Sequence, residues 1–415
     1  MRFDTVIIGG GLSGLVCGLR LQRSGRKCAI VSAGQNAMHF FSGGFGLLSR
    51  LPDGTAVDSP LDAIDSLPER HPYRIIGREK VAGYAAEILP FLKSCGINVR
   101  DNAGRNGWMI SASGLPKRTW LTVDDIDIFS SKDIEIGEKA LIVNIEGFLD
   151  FNTSFIAEGL EKRGVKCRIA AVSTEDTKAL RKNPSEMRSS NIAKMMSRKD
   201  ARERFVSKVK ELLEEGETLI LPAVFGLKSQ DDVEDVRTAV GGRTCFIGTL
   251  PPSVPGVRTQ MMLKTAFEAA GGVFLMGDKV DGVEMKDGRV ISVKTANLED
   301  ISLSADTFVL ATGSYFGHGL VADRNTVSET VFGLDMDCSE DRNSWYDPNF
   351  FKAQGYLSFG VITDGDLKGV KDGQTIDNLY VAGSILGGCN PLYEGSGAGI
   401  AIMTAMCVSD KISSR

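Results

Sequence analysis

Phe3-Asp4-Thr5-Val6-Ile7-Ile8-Gly9-Gly10-Gly11-Leu12-Ser13-Gly14-Leu15-Val16 is the stretch that decides the fold. Phe3 to Ile8 is a short apolar run, three glycines end it, and from Leu15 the apolar residues Leu15, Val16, Leu19 and Leu21 recur at helical spacing. The reading is strand, glycine turn, helix. Gly25 is placed to close that helix, and Cys28 to Val31 reads as a second, fully buried strand. Within this βαβ unit Gly9, Gly11 and Gly14 satisfy GxGxxG. The first glycine permits the tight turn, the second lets backbone approach a phosphate, and the third lets helix pack on strand. The helix start, with Leu12 and Ser13, would offer free N–H groups and a positive dipole end to an anion. One part of the pattern is missing: Ser32 stands where an acid usually holds an adenosine ribose, and the nearest acid downstream is Asp53.

Composition narrows the remainder. The 47 glycines among 415 residues are about 11%, above the usual ~7%, and they follow no collagen period. The formal charge of −5 supplies no field for steering onto nucleic acid or an anionic membrane. Eight cysteines are scattered without a CxxC, so no zinc or iron–sulfur motif is legible, no metal site is expected, and a reducing cytoplasm fits. The apolar run Thr5 to Leu19 contains five glycines and lacks a cleavage signal before Arg20, which argues against a signal peptide. No stretch reaches the ~18 apolar residues of a membrane-spanning helix.

Farther along, residues 79 to 94 read as a helix. From about 99 to 245 β-like segments (Ala140 to Ile145, Val165 to Val172, Thr218 to Phe225) alternate with charged helices. The clearest helix, about 199 to 214, puts Phe205, Val206, Val209, Leu212 and Leu213 on one face. A Met- and charge-rich patch at 181 to 204 reads as a solvated helix pair, with a partner surface as the alternative. Asp306 to Leu310 is a buried strand ending at Ala311-Thr312-Gly313. Leu379 to Ser384 is another, and Gly395 to Gly399 opens a closing helix, Ile400 to Val408. The expected fold is α/β, a Rossmann-like FAD/NAD(P)-binding flavoprotein fold. Residues 1–98 and 246–415 form the discontinuous flavin-binding domain, and 99–245 an inserted α+β capping or substrate domain.

GxGxxG at 9 to 14, Ala311-Thr312-Gly313, and Ala382-Gly383-Ser384 with its glycine helix, in that order, resemble the two-dinucleotide-binding-domain flavoproteins. That class includes glycerol-3-phosphate dehydrogenases and the flavoprotein subunits of succinate dehydrogenase and fumarate reductase. In it the first strand lies beside the last in one parallel sheet, and the middle of the chain caps the cleft. Met1 to Gly11, Ala29-Ile30-Val31, Gly34-Gln35, Thr249 to Val254, Phe332 to Asp335 and Gly383 to Gly388 resemble, more narrowly, the B-subunit family of anaerobic glycerol-3-phosphate dehydrogenases. The resemblance implies FMN in this chain, with FAD as the alternative. It also implies two partners from the same three-chain complex. One is an FAD-containing catalytic subunit. The other is an iron–sulfur membrane-anchor subunit, whose clusters serve electron transfer to quinone and which holds the complex to the cytoplasmic face of the membrane. The implied substrate is glycerol 3-phosphate.

By the same resemblance Ser42, Gly43 and Gly44 approach the isoalloxazine. Ala311, Thr312 and Gly313 close over the cofactor, Gly383 and Ser384 line its ribityl side, and the helix beginning near Gly397 points its dipole at it. Ser32 would leave room for FMN, which has no adenosine ribose; Val280 is either an adenine contact or core. Alcohol oxidation needs a base for the hydroxyl proton. His318, five residues past Gly313, is the first candidate, with His39 and His71 the other histidines. Arg258 and Arg324, with Arg118, are candidates for the substrate phosphate because a guanidinium matches its oxygens bidentately. Each of these has a surface or packing alternative. An FMN-binding electron-relay or assembly role without a substrate site remains the second functional reading, and an NAD-dependent dehydrogenase a third, disfavoured by Ser32.

Overall fold

The computed structural model describes residues 1–34 and 36–414; Gln35, part of the family resemblance, lies outside them. The chain divides into two compact units. The first comprises Met1–Ala37, Gly46–Phe91 and everything from Met262 onward; the second comprises Met38–Phe45 and Leu92–Met261. The second unit therefore starts earlier and ends later than the 99–245 insertion expected. Gly44–Phe45 leaves the first unit because it is the edge strand of an antiparallel sheet with Leu121–Val123 and Val99–Asp101.

In the first unit the strand Arg2–Ile8 is central. Cys28–Ser32 pairs with it in parallel on one side and Leu303–Leu310 on the other, and Val273–Met276 adds in parallel beyond Cys28–Ser32. All five residues of Cys28–Ser32 are buried, as an apolar run without alternation requires of a strand covered on both faces. The last parallel strand, Gln374–Val381, pairs with Leu303–Leu310 rather than with the first strand. The expected neighbourhood of first and last strands is thus corrected: one strand separates them. Just past the last strand, Ala382 N donates to the Leu310 carbonyl. Arg289–Thr295 and Val280–Lys286 extend the sheet as an antiparallel hairpin whose turn carries Asp287-Gly288, and Val280 is buried.

The helix Leu12–Arg23 is buried from Leu12 to Leu19 along nearly its whole inner length. Gly18 lets it lie flat on the sheet, since a Cβ there would stand 2.8 Å from Ile30 Cδ1. It ends at Ser24, with Gly25 at φ +88 just beyond. The closing helix Gly397–Ser413 runs beside it, and Arg20 ties the two by donating to Ser409 Oγ at 2.8 Å and to Asp410 Oδ1 at 2.6 Å. Both helices begin at the carboxyl ends of the parallel strands.

The second unit is more regular than its sequence suggested. Its centre is a four-stranded parallel sheet in the order Thr244–Ile247, Glu217–Pro222, Lys139–Ile145, Lys166–Val172. Chain order reverses between Lys139–Ile145 and Glu217–Pro222, which makes that junction a topological switch point. Lys199–Leu212 packs Ala201, Phe205, Val206 and Val209 inward, but Leu212 is exposed and the helix stops there, so the apolar face ends a turn sooner than expected. In the charged 181–204 region Arg198 and Arg204 pair with Asp176 and Asp200.

Candidate functional site

The three glycines of the first turn have three distinct jobs. Gly9 sits at φ +123, and a Cβ on it would lie 2.1 Å from the Ala311 carbonyl oxygen; only glycine lets the two strand ends approach this closely. At Gly14 a Cβ would lie 1.9 Å from the Gly9 oxygen, so the third glycine seats helix on turn. Gly11 faces open space: the nearest atom to its Cβ position is Asn36 Cβ at 3.9 Å. Gly11 caps the helix Leu12–Arg23 with no side-chain hydrogen bond, and no acid occupies the first turn. The dipole end at Leu12 and Ser13 is therefore not neutralised from within.

Around this turn the structure gathers the other strand ends of the first unit. A Cβ on Gly383 would come 3.1 Å from Ser13 Oγ, and one on Gly313 3.7 Å from Ser384 Oγ. Gly319 folds back so closely that its Cβ would lie 2.0 Å from the Gly313 oxygen. Gly383 N donates to Thr404 Oγ1 at 2.8 Å, which fixes the strand end to the closing helix. The hydroxyls of Ser13, Thr312 and Tyr315 are buried at this crest without a hydrogen-bond partner among the described residues. Burial pushes the Tyr315 phenol up to about 12, with Cys338 and Tyr356 adding to the rise. Buried hydroxyls left unpaired cost free energy, and a polar ligand would relieve it.

Sequence reasoning missed the support beneath the closing helix. His71 and Glu394, 323 residues apart, meet in the core with Nε2 and Oε2 at 3.2 Å. His71 Nδ1 accepts from Tyr73 N, so the ring proton is on Nε2 and is donated to the carboxylate. Ser396 Oγ and Asn390 N also donate to Glu394, at 2.9 Å each. Burial raises the Glu394 pKa, but these donors outweigh it and hold the carboxyl below its usual range. His71 is thus committed to positioning the loop before Gly397; no signal in local sequence links it to Glu394.

The other candidates fall elsewhere. His318 is exposed, in a left-handed conformation at φ +57, with its carbonyl accepting from Thr330 Oγ1. Arg324 is exposed at the turn between Leu320–Ala322 and Val327–Glu329. Arg258 is 1% exposed and belongs to the second unit, where it donates to Asp125 Oδ2 and to the Gly226 carbonyl at 2.6 Å. Its guanidinium is consumed by protein partners, and the expectation that it binds a substrate phosphate is corrected on that ground. It fastens the segment that follows Glu217–Pro222.

Ser42, Gly43 and Gly44 also belong to the second unit. Ile126 covers Gly43, and Met109 and Thr119 cover Gly44. His39 is half-buried there, and burial lowers its pKa.

A family model described as an FAD binding domain matches residues 4–400. The chain is 39% identical to the B subunit of anaerobic glycerol-3-phosphate dehydrogenase from Pectobacterium atrosepticum, over 99% of both chains. It is 38% identical to the protein of that name in Yersinia enterocolitica, over 99% of this chain and 98% of the other, and 34% identical to that of Actinobacillus pleuropneumoniae, over 99% of both. The chain belongs to the B-subunit family of anaerobic glycerol-3-phosphate dehydrogenases. The open form of a flavocytochrome c3 fumarate reductase aligns with a TM-score of 0.45 at 10% identity, over 100% of this chain and 78% of that one, a level that adds nothing to the assignment.

The cofactor class of this B-subunit family member is a flavin, and the first unit fits one. The uncapped helix start, the open space at Gly11 and the unpaired Ser13 and Thr312 hydroxyls suit a flavin phosphate and its polyol. At the end of the second strand, Ser32 is buried against Gly10, where its Oγ would be 2.4 Å from a Cβ, and the Phe274 ring closes the same spot. Asp278 comes next to Ser32 by a backbone hydrogen bond, a proximity that sequence reasoning did not anticipate. Its Oδ1 is already engaged by the N–H groups of Lys279 and Asn297. Asp53 is exposed in its own turn with Thr55. No group of three or more His, Cys, Asp or Glu among the described residues could hold a metal.

Proposed function

We propose that this chain is the flavin-binding oxidoreductase subunit of a glycerol-3-phosphate dehydrogenase. The reaction it serves is oxidation of sn-glycerol 3-phosphate to dihydroxyacetone phosphate. The observation that carries the reading is the unneutralised helix start at Gly11-Leu12-Ser13, set among buried hydroxyls without partners among the described residues. The name shared by the curated relatives supports both the substrate and a multi-subunit assembly. When bound, the flavin supplies a two-electron acceptor for the carbinol hydride. The chain's own residues hold the phosphate at the helix start, orient the polyol with Ser13, Thr312 and Ser384, and set the closing helix through Glu394.

Within this reading the flavin is FMN, because Ser32 replaces the ribose-binding acid at the end of the second strand and is packed on Gly10; FAD is the second candidate. Electrons then leave through an FAD-containing partner and an iron–sulfur partner to quinone, and the iron–sulfur partner attaches the complex to the membrane. In this chain no helix among the described residues is long and apolar enough to cross a membrane.

A second reading, an electron-relay role without a substrate site of its own, is favoured by one observation: Arg258 is consumed inside the second unit while His318 and Arg324 are exposed at turns. Anaerobic addition of glycerol 3-phosphate to the flavin-loaded chain alone separates the two. Bleaching of the visible flavin band is the result expected if the chain oxidises substrate itself. A band unchanged alone, but bleached beyond the partner's own flavin content once the FAD-containing partner is restored, would establish the relay.

A further inference from the structure

In the second unit the hairpin of Gly107–Ile110 and Pro116–Thr119 pairs Met109 with Lys117 and Trp108 with Arg118. Alternation along the strand sends Lys117 and Thr119 to one face and Arg118 to the other. Arg118 lies over the Trp108 ring at 4.7 Å, so its face is occupied by a cation–π stack. The opposite face covers residues 42–45. Thr119 Oγ1 donates to the Leu121 carbonyl at 2.8 Å and to that of Phe45 at 3.2 Å, which anchors the hairpin two residues from Lys117. Gly44 permits the contact, since a Cβ there would meet Met109 Sδ at 2.6 Å. So placed, Lys117 Nζ donates to Ser42 Oγ at 2.9 Å.

We propose that Lys117 and Ser42 form an oxyanion-receiving site in the second unit, one that takes the phosphate of a phosphomonoester substrate. The ammonium has three donors and spends one on Ser42; the Ser42 hydroxyl, accepting from lysine, keeps its own proton to donate. Two donor groups of one small cluster thus remain for phosphate oxygens. Lys117 forms no ion pair with any carboxylate among the described residues, unlike Lys411, which pairs with Asp366. Its side chain is exposed, yet burial lowers its pKa and no charged neighbour contributes to the shift. No carboxylate among the described residues neutralises the ammonium, which stands beside a hydroxyl that keeps a proton of its own to donate. An exposed cation held beside a second donor, without a counter-ion among the described residues, is a place that an oxyanion would complete.

The inference rests on glycerol 3-phosphate being the substrate, and the test separates the two claims. Calorimetric titration of the full flavin-loaded chain would use glycerol 3-phosphate, inorganic phosphate and glycerol as separate probes. Loss of a hydrogen bond to a charged group is expected to weaken glycerol 3-phosphate binding about tenfold or more in Lys117→Gln. Lys117→Arg should stay close to wild type and Ser42→Ala should fall between, with all variants melting as wild type does. Inorganic phosphate should compete in wild type and not in Lys117→Gln. Phosphate binding that depends on Lys117 without glycerol 3-phosphate binding would keep the site and discard the substrate. Unchanged affinity for both anions in Lys117→Gln, or no anion binding by wild type, would overturn the site.

Discussion

Gly11 and Gly14 stand three residues apart and answer to different constraints, so their substitution should separate folding from ligand binding. Gly14→Ala drives a methyl into the Gly9 carbonyl, and overpacking of this kind costs about 1–3 kcal/mol. Its melting temperature should fall, with flavin lost as a consequence. Gly11→Ala places the methyl in open space, so its melting without flavin should stay near wild type while flavin affinity drops. Glu394 adds a pH signature. Its folded pKa is below the unfolded value of about 4.5, despite burial, because His71, Asn390 N and Ser396 donate to the carboxylate. A depressed carboxylate pKa contributes stability above the unfolded value and loses it as pH falls through the folded one. Denaturant titrations should therefore show wild type more stable than Glu394→Gln above about pH 4.5, with the difference shrinking at lower pH. A constant difference across that window would mean the carboxylate is not charged in the fold.

At the scale of elements, the opening βαβ unit was legible because every signal it needs is local: an apolar run, glycines at fixed spacing and a helical recurrence within thirty-two residues. What joins distant segments was not. The strand Leu303–Leu310 inserts between the first and last parallel strands, and no local pattern specifies pairing order. Arg258 read as a phosphate ligand because guanidinium chemistry is visible in sequence, whereas Asp125, its partner 133 residues away, is not. The pair is buried at both ends, and removing one member leaves an uncompensated charge at a cost of about 3–5 kcal/mol. Urea unfolding of Arg258→Met should show that loss. An Arg258→Met protein as stable as wild type but unable to bind glycerol 3-phosphate would restore the arginine as a substrate ligand.

Over the whole molecule, composition suggested an insertion at 99–245, whereas the two compact units divide at other places, the second taking Met38–Phe45 and Leu92–Met261. The switch-point sheet of the second unit was not legible, since its fourth strand, Thr244–Ile247, is too short to announce itself. The cysteines show a similar limit: their spacing excluded a local metal motif, but not which thiols react. Six are buried and Cys167 and Cys338 are half-buried. Burial raises Cys28 to about 12 and Cys167 to about 11, so exposure ranks them more sharply than acidity. Maleimide labelling followed by mass spectrometry should modify Cys167 and Cys338 first and the other six only on unfolding.

The central claim is that the helix start at Gly11 holds a flavin phosphate. Chromatographic identification and counting of the flavin released from purified wild type and Gly11→Ala, both reconstituted with FMN and FAD, tests it most directly. The expected result is one FMN per wild-type chain and little flavin on a normally folded Gly11→Ala protein. Equal flavin on both, or none on a well-folded wild type, would contradict the account.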